Sequence, residues 1–370
     1  MQTLQELLEI DLEYISVNLD AEFSQMAGKK LLITGGAGFL GYYLIQSVLY
    51  WNKGKSTDDR IYVTVYDNYF RGVPGWLTSF GKNEALKLVK HNIIEPLPKK
   101  MSHFDFIIHA AGIASPVYYR KYPIETMDAN VNGLRRLLDY SLKQNAQGKK
   151  VEGFLFFSSS EIYGDPPQDE IPTTENYRGF VSCTGPRACY DESKRFGETL
   201  CVNFARQYDL PVKVARPFNN YGPGLKITDR RVLPDFANDV INGREIVMLS
   251  DGSPTRTFCY IADAIVGYYK VLVTGLKGEA YNIGIDKPEI SVLTLAEKTV
   301  STAKELFGYE GKVVRKISSG DDYLVDNPNR RCPSIEKARK YLGFNPTVLI
   351  DEGLRRSLTW YCYHRTGEEA

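Results

Sequence analysis

The sequence lacks most features that assign a protein at a glance. No run of about 18 apolar residues is present, so nothing reads as a membrane-spanning helix. The first 27 residues carry acids throughout, a pattern unlike a signal peptide. The six cysteines, at 183, 189, 201, 259, 332 and 362, form no C-x-x-C pair and have no histidine at zinc spacing. They read as reduced thiols of a cytoplasmic protein, and no metal is expected. Lys and Arg total 46 against 45 Asp and Glu, a net charge of +1 that argues against a nucleic-acid or membrane-surface partner. There is no internal repeat and no low-complexity tract. What remains has ordinary globular composition, 43% hydrophobic and 25% charged. Its 370 residues suffice for a large core in one composite unit or two domains. Tyrosine is abundant, at 25, and is assigned to packing and interfaces.

Against that background one stretch stands out, Gly185-Pro-Arg-Ala-Cys-Tyr190-Asp-Glu-Ser-Lys194. Tyr190 and Lys194 are four apart, which on a helix puts them on one face. An ammonium beside a phenol lowers the tyrosine pKa from about 10 towards neutrality. Such a tyrosine takes a proton from a hydroxyl while a hydride leaves the same carbon. The spacing alone equally fits an exposed helix face.

The chain before it is suited to bringing a nicotinamide there. Residues 1–27, with Leu4, Leu7, Leu8, Ile10, Leu12 and Ile15 among acids, read as an amphipathic helical arm that packs on the domain or on a neighbouring subunit. Lys29-Lys-Leu-Leu-Ile-Thr-Gly35-Gly-Ala-Gly38-Phe39-Leu40-Gly41 reads as strand, glycine turn and helix, the setting in which backbone approaches a pyrophosphate. Asp67 ends the next strand, where it can bond a ribose 2′-hydroxyl and repel a 2′-phosphate, favouring NAD over NADP; a turn residue is the alternative. The polar segment 52–59 reads as an inserted loop. Asn68 and Arg71 follow on the cofactor side, although Arg71 also fits a solvated charge. Residues 86–94 read as a third strand, with Asn92 and Ile93 by the adenine. A fourth strand ends in Ala110 and Ala111, small enough for backbone to lie against the cofactor, and His109 and Asn130 are structural.

A buried strand then ends Ser158-Ser159-Ser160-Glu161, hydroxyls and a carboxylate at the sheet edge where α/β folds bind ligands, or else a cap or turn. The strand at 212–215 exits through Pro217. Beyond it, segments 232–242, 246–249, 258–273, 280–283 and 292–307 alternate too irregularly for a second doubly wound sheet. The expected fold is α/β: a Rossmann-type doubly wound parallel sheet over 28–217, preceded by the 1–27 arm. Residues 218–370 form mainly a smaller, interleaved α/β substrate-binding domain, with segments returning to the first.

From about residue 29 to 361 the chain resembles the extended short-chain dehydrogenase/reductase superfamily. Within it the closest resemblance is to UDP-glucuronate decarboxylases (UDP-xylose synthases). The residues carrying it are Ser159-Ser-Glu161-Ile-Tyr-Gly-Asp165, the Gly185–Lys194 run, Arg216-Pro217-Phe-Asn219-x-Tyr-Gly-Pro, Thr255-Arg256-Thr-Phe-Cys-Tyr260-Ile-x-Asp263, Tyr281-Asn-Ile-Gly284 and Asp326-Asn-Pro-x-x-Arg331-x-Pro333. The resemblance implies bound NAD and a nucleotide-sugar substrate. It makes Tyr190 the base at the sugar C4 hydroxyl, Lys194 its pKa-lowering partner, and Ser159 a helper at the C4 oxygen. Ser160 and Glu161 would lie by C5 and the carboxylate. Asn219, Arg231, Val232, Arg256 and Arg331 would form the substrate site. It also implies a homodimer built on helices at 134–142 and 190–204.

Two segments depart from the family pattern. Val247-Met-Leu-Ser-Asp251-Gly252 stands where relatives often have Val-Tyr-Gly before the turn, and Asp229-Arg230-Arg231 where they tend to have Asp-Gly-Arg. Both border the nucleotide pocket and leave the base open. The rival readings are a nucleotide-sugar 4,6-dehydratase using Glu161 at C5, a 4-epimerase, and a non-catalytic NAD-binding scaffold.

Overall fold

The computed structural model describes residues 3–316 and 328–364. Asp326, one end of the last quoted motif, lies outside them. Seven parallel strands form the central sheet: β1 (Lys30–Thr34), β2 (Tyr62–Asp67), β3 (Leu86–Lys90), β4 (Phe106–His109), β5 (Gly153–Phe157), β6 (Val212–Pro217) and the strand Ala280–Ile283. From one edge the order is Ala280–Ile283, β6, β5, β4, β1, β2, β3. Strands such as Lys-Leu-Leu-Ile-Thr and Gly-Phe-Leu-Phe-Phe are apolar almost throughout because both faces are covered.

Leu31, Ile33, Leu155 and Phe157 face one layer, with α3 (Phe39–Trp51) and the Ile261–Thr274 helix. Leu32, Phe154 and Phe156 face the other, with the helices Leu134–Ala146 and Ala188–Tyr208. The strand order reverses between β1 and β4. The crevice beyond their carboxyl ends is where such sheets bind ligands.

Several expected boundaries shift. β3 stops at Lys90, and Asn92 and Ile93 lie in the loop that follows rather than in a strand. The arm is two helices, α1 (Leu4–Asn18) and α2 (Asp20–Met26), packed on the chain's own α3 and Ile261–Thr274 helices. Leu7, Leu12 and Ile15 are buried as the apolar pattern requires, whereas Ile10 is exposed and the acid Asp11 lies fully inside. Asp11 accepts hydrogen bonds from Tyr43 (2.6 Å), Tyr260 (2.6 Å) and Arg356 (2.6 Å), which makes its burial tolerable.

Past β6 the smaller elements surround the cleft. Thr255–Arg256 lies between Ile290–Ser291 and Arg330–Arg331 in a three-stranded sheet. Its parallel register sets Arg331 beside Arg256.

Candidate active site

One cleft of about 820 Å³ runs along the carboxyl edge of the sheet. Gly35 leaves β1 with φ +74°, and a Cβ there would meet the Ala111 backbone at 2.6 Å, so only glycine lets the two strand ends come this close. Gly38 caps α3 without a side-chain hydrogen bond, leaving the first-turn amides of Phe39 and Leu40 turned to the cleft end. Asp67 closes the cradle: its carboxylate accepts the Ala37 amide at 2.9 Å and the Tyr69 amide at 2.7 Å. This bare helix N-terminus in a side-chain-free turn fits a dinucleotide's pyrophosphate, and Asp67 fits its ribose.

Asn68, Arg71, Asn92, Ile93, Ala110, Ala111 and Pro217 line the same cleft. Gly41 does not: it lies inside α3, where a Cβ would meet the Gly36 carbonyl oxygen at 2.0 Å. Its task is close packing of the helix on the glycine turn rather than cofactor contact. His109 is buried, with Nδ1 2.8 Å from the Thr34 hydroxyl and Nε2 3.1 Å from the Ala129 carbonyl. Burial lowers its pKa to about 3, so it is a neutral strut. Asn130 donates to Ser193 at 2.9 Å, tying its turn to the Ala188–Tyr208 helix.

Tyr190 and Lys194 project from the first turns of that helix into the cleft. The Lys194 ammonium donates to the Phe157 carbonyl at 2.8 Å and lies 5.6 Å from the Tyr190 ring centroid. The lysine does not bring the phenol to neutrality. Burial pushes Tyr190 up to about 12, outweighing its hydrogen bond with Ser159. Burial also pushes Lys194 down to about 7, which weakens the very charge that was to help.

Beside them Glu161 is held by two guanidiniums. Arg331 pairs with it at 2.7 Å, and Arg187 pairs with its other oxygen. Burial alone would raise the Glu161 carboxyl, but Arg331, Arg187 and Arg256 together hold it below the ordinary range. Ser160 accepts a hydrogen bond from Arg331 at 3.1 Å. Arg256, half-buried and next to Arg331, is pushed down to about 10 by desolvation and the neighbouring guanidinium. Behind Arg187 lies Asp191, 3.7 Å from its Nε. Burial and the Glu161 charge raise Asp191 to about 7.

Further along, Asp229 joins Arg71 (2.6 Å) to Arg231 (3.0 Å), so residues expected to serve cofactor and substrate separately meet at one carboxylate. Arg230 between them has φ +61°, a left-handed backbone at the position where the family pattern has glycine. Val232 opens the helix that follows, and Asn219 donates to the Thr257 carbonyl at 2.9 Å. Both line the cleft.

Sequence reasoning missed Arg187, Asp191 and Tyr119. The first two stood inside the quoted Gly185–Lys194 run, and charged residues flanking the Tyr-Lys pair were the available signal. Tyr119, stacked on Tyr190 with centroids 5.1 Å apart and planes at 12°, had none.

The profile of the NAD dependent epimerase/dehydratase family matches residues 31–284. UDP-glucuronic acid decarboxylase 6 of Arabidopsis thaliana is 35% identical over 325 residues, covering 88% of this chain and 86% of its own. Among solved structures, an epimerase of Methanothermobacter thermautotrophicus shares 27% identity with a TM-score of 0.75, over 95% of this chain and 97% of that one. A UDP-glucuronic acid 4-epimerase of Bacillus cereus, solved with UDP-glucuronic acid and NAD, is alike in fold at 22% identity and a TM-score of 0.72, over 90% of this chain and 98% of that one. Among the described residues, no helix is long and apolar enough to cross a membrane.

Proposed function

The chain belongs to the NAD-dependent epimerase/dehydratase family, with NAD as its cofactor, and on that premise we propose that it decarboxylates a nucleoside-diphosphate glucuronate, UDP-glucuronate first. The observation that carries the proposal is the charge around Glu161. Arg187, Arg331 and Arg256 converge there on one ionised carboxylate. A sugar carboxylate entering there meets the guanidinium forks of Arg187 and Arg331, which a neutral hexose cannot use as charge partners. The similarity to UDP-glucuronic acid decarboxylases supports the same substrate.

When bound, NAD supplies a positive charge and a reversible hydride acceptor for the sugar C4, so that a ketone stands transiently β to the C5 carboxylate. Tyr190 takes the proton of the C4 hydroxyl. Because burial pushes its phenol up to about 12, it needs a cation held against the ring, and Lys194, 5.6 Å from the ring centroid, is the one at hand. Ser159, hydrogen-bonded to Tyr190, steadies the C4 oxygen. Carbon dioxide leaves as the bonding electrons pass into the carbonyl, and Tyr190 and Ser159 stabilise the enolate oxygen. C5 is then reprotonated within reach of Glu161 and Ser160. Return of the hydride to C4, with Tyr190 giving its proton back to the C4 oxygen, would leave no NAD consumed overall. The mutually packed Leu134–Ala146 and Ala188–Tyr208 helices, with Phe196 51% exposed on the latter, support a homodimer.

The test is to incubate the protein, without added NAD, with UDP-glucuronate, UDP-glucose, GDP-mannose and dTDP-glucose, and to weigh the products by mass spectrometry. Loss of carbon dioxide from the glucuronate alone is expected. Loss of water from a neutral hexose overturns the proposal and makes the chain a 4,6-dehydratase with Glu161 as its C5 base.

A further inference from the structure

We propose that the Tyr119 hydroxyl is a further substrate-binding group, donating a hydrogen bond to the carboxylate of the sugar acid, an assignment that rests on the decarboxylase reading above. Tyr119 is 1% exposed and borders the cleft. Its hydroxyl has no hydrogen-bond partner among the described residues. Buried hydroxyls are nearly always bonded, so an orphan on a cleft wall marks a donor kept for something that binds there.

The side chain is not free to find another partner. Its ring is stacked on Tyr190, and its carbonyl accepts the Cys189 thiol at 3.5 Å. The charges that act on the phenol are those of Arg187, Glu161, Asp191 and Arg120. Glu161 is engaged by Arg187 and Arg331, and Asp191 faces Arg187. Neither carboxylate bonds the Tyr119 hydroxyl. Burial raises the phenol above its ordinary value, so it remains an O–H donor at neutral pH. A neutral donor beside the guanidiniums of Arg187 and Arg331 suits a second carboxylate entering the cluster.

Tyr119→Phe keeps the ring and its stacking and removes only the hydroxyl. Turnover is blocked by working in a Tyr190→Phe background with NAD bound. Calorimetry then compares UDP-glucuronate, UDP-glucose and UDP, and the thermal midpoint is read on the same samples. We expect UDP-glucuronate to bind about tenfold more weakly, the value of a hydrogen bond to a charged group. UDP and UDP-glucose should be unchanged, and the midpoint unchanged or higher because an unsatisfied hydroxyl is gone. A merely structural role predicts the reverse: a lower midpoint and equal weakening of all three ligands. That result, or unaltered UDP-glucuronate binding, overturns the inference. If the protein with Tyr119 intact shows no preference for UDP-glucuronate over UDP-glucose, the decarboxylase reading itself falls.

Discussion

Asp11 and Glu161 are both carboxylates set among arginines and tyrosines, and they differ in what is left over. Asp11, under the N-terminal arm, takes two tyrosine hydroxyls and Arg356 and is sealed from water. Glu161, in the cleft, shares two arginines with a third nearby, while the neighbouring Tyr119 hydroxyl and one Asp191 oxygen stay unbonded. The first cluster is closed and contributes to holding the fold together. The second leaves, among the described residues, one donor and one acceptor without partners beside two guanidiniums, which is the arrangement of a binding site rather than of a sealed core. Polar burial by itself therefore marks neither structure nor function; the balance of donors, acceptors and charge separates them.

Substitution should break the two clusters in opposite ways. Tyr190→Phe should lower turnover about 10³-fold with the thermal midpoint nearly unchanged, as measured by product formation and melting. Arg356→Met should leave Asp11 buried and unpaired. It should cost about 3–5 kcal/mol in denaturant unfolding, with turnover per folded molecule retained. Arg187→Met should cost less stability than that, because Arg331 still pairs Glu161, and should weaken UDP-glucuronate far more than UDP.

A smaller effect comes from Asp191, whose folded pKa of about 7 lies above the ordinary carboxyl value. As pH rises through 7 it ionises beside Arg187 and neutralises part of the anion-binding charge. UDP-glucuronate affinity should therefore fall several-fold between about pH 6 and 8, measured relative to UDP, and Asp191→Asn should flatten that slope. The same shift means the folded state binds the extra proton between the ordinary carboxyl range and pH 7. Its contribution to stability accordingly declines as pH rises across that window. Smallest of all, Arg230→Gly should relieve the left-handed backbone and stabilise the protein by about 1 kcal/mol or less in urea unfolding.

What could be read from the chain beforehand was whatever local spacing encodes. The glycine turn at Gly35 and Gly38, Asp67 at a strand end and the Tyr190–Lys194 helix face each need only a few neighbouring residues. The apolar strands were legible because burial on both faces leaves continuous hydrophobic runs. The Arg187–Glu161–Arg331 cluster was half hidden. Its members come from three separate elements, and only the Arg256–Arg331 strand register and the fold of the cleft bring them together. Tyr119 sits in a tyrosine-rich stretch, Tyr118-Tyr119-Arg-Lys-Tyr122, where nothing local tells a packed ring from an orphaned hydroxyl. The Tyr190 pKa went astray for a related reason. The spacing shows an ammonium beside a phenol, while desolvation of both groups, which spacing does not show, is the larger influence.

The closed cluster also sets a timetable for the nascent chain. Asp11 and its partner Arg356 are 345 residues apart. At synthesis rates of about 5–20 residues per second, Asp11 leaves the ribosome roughly 20–70 s before Arg356 is made. Through that interval its carboxylate stays hydrated, since burying it without the guanidinium would cost several kcal/mol. Full docking of the arm therefore depends on the Ile350–Tyr363 helix, which brings Arg356 to Asp11.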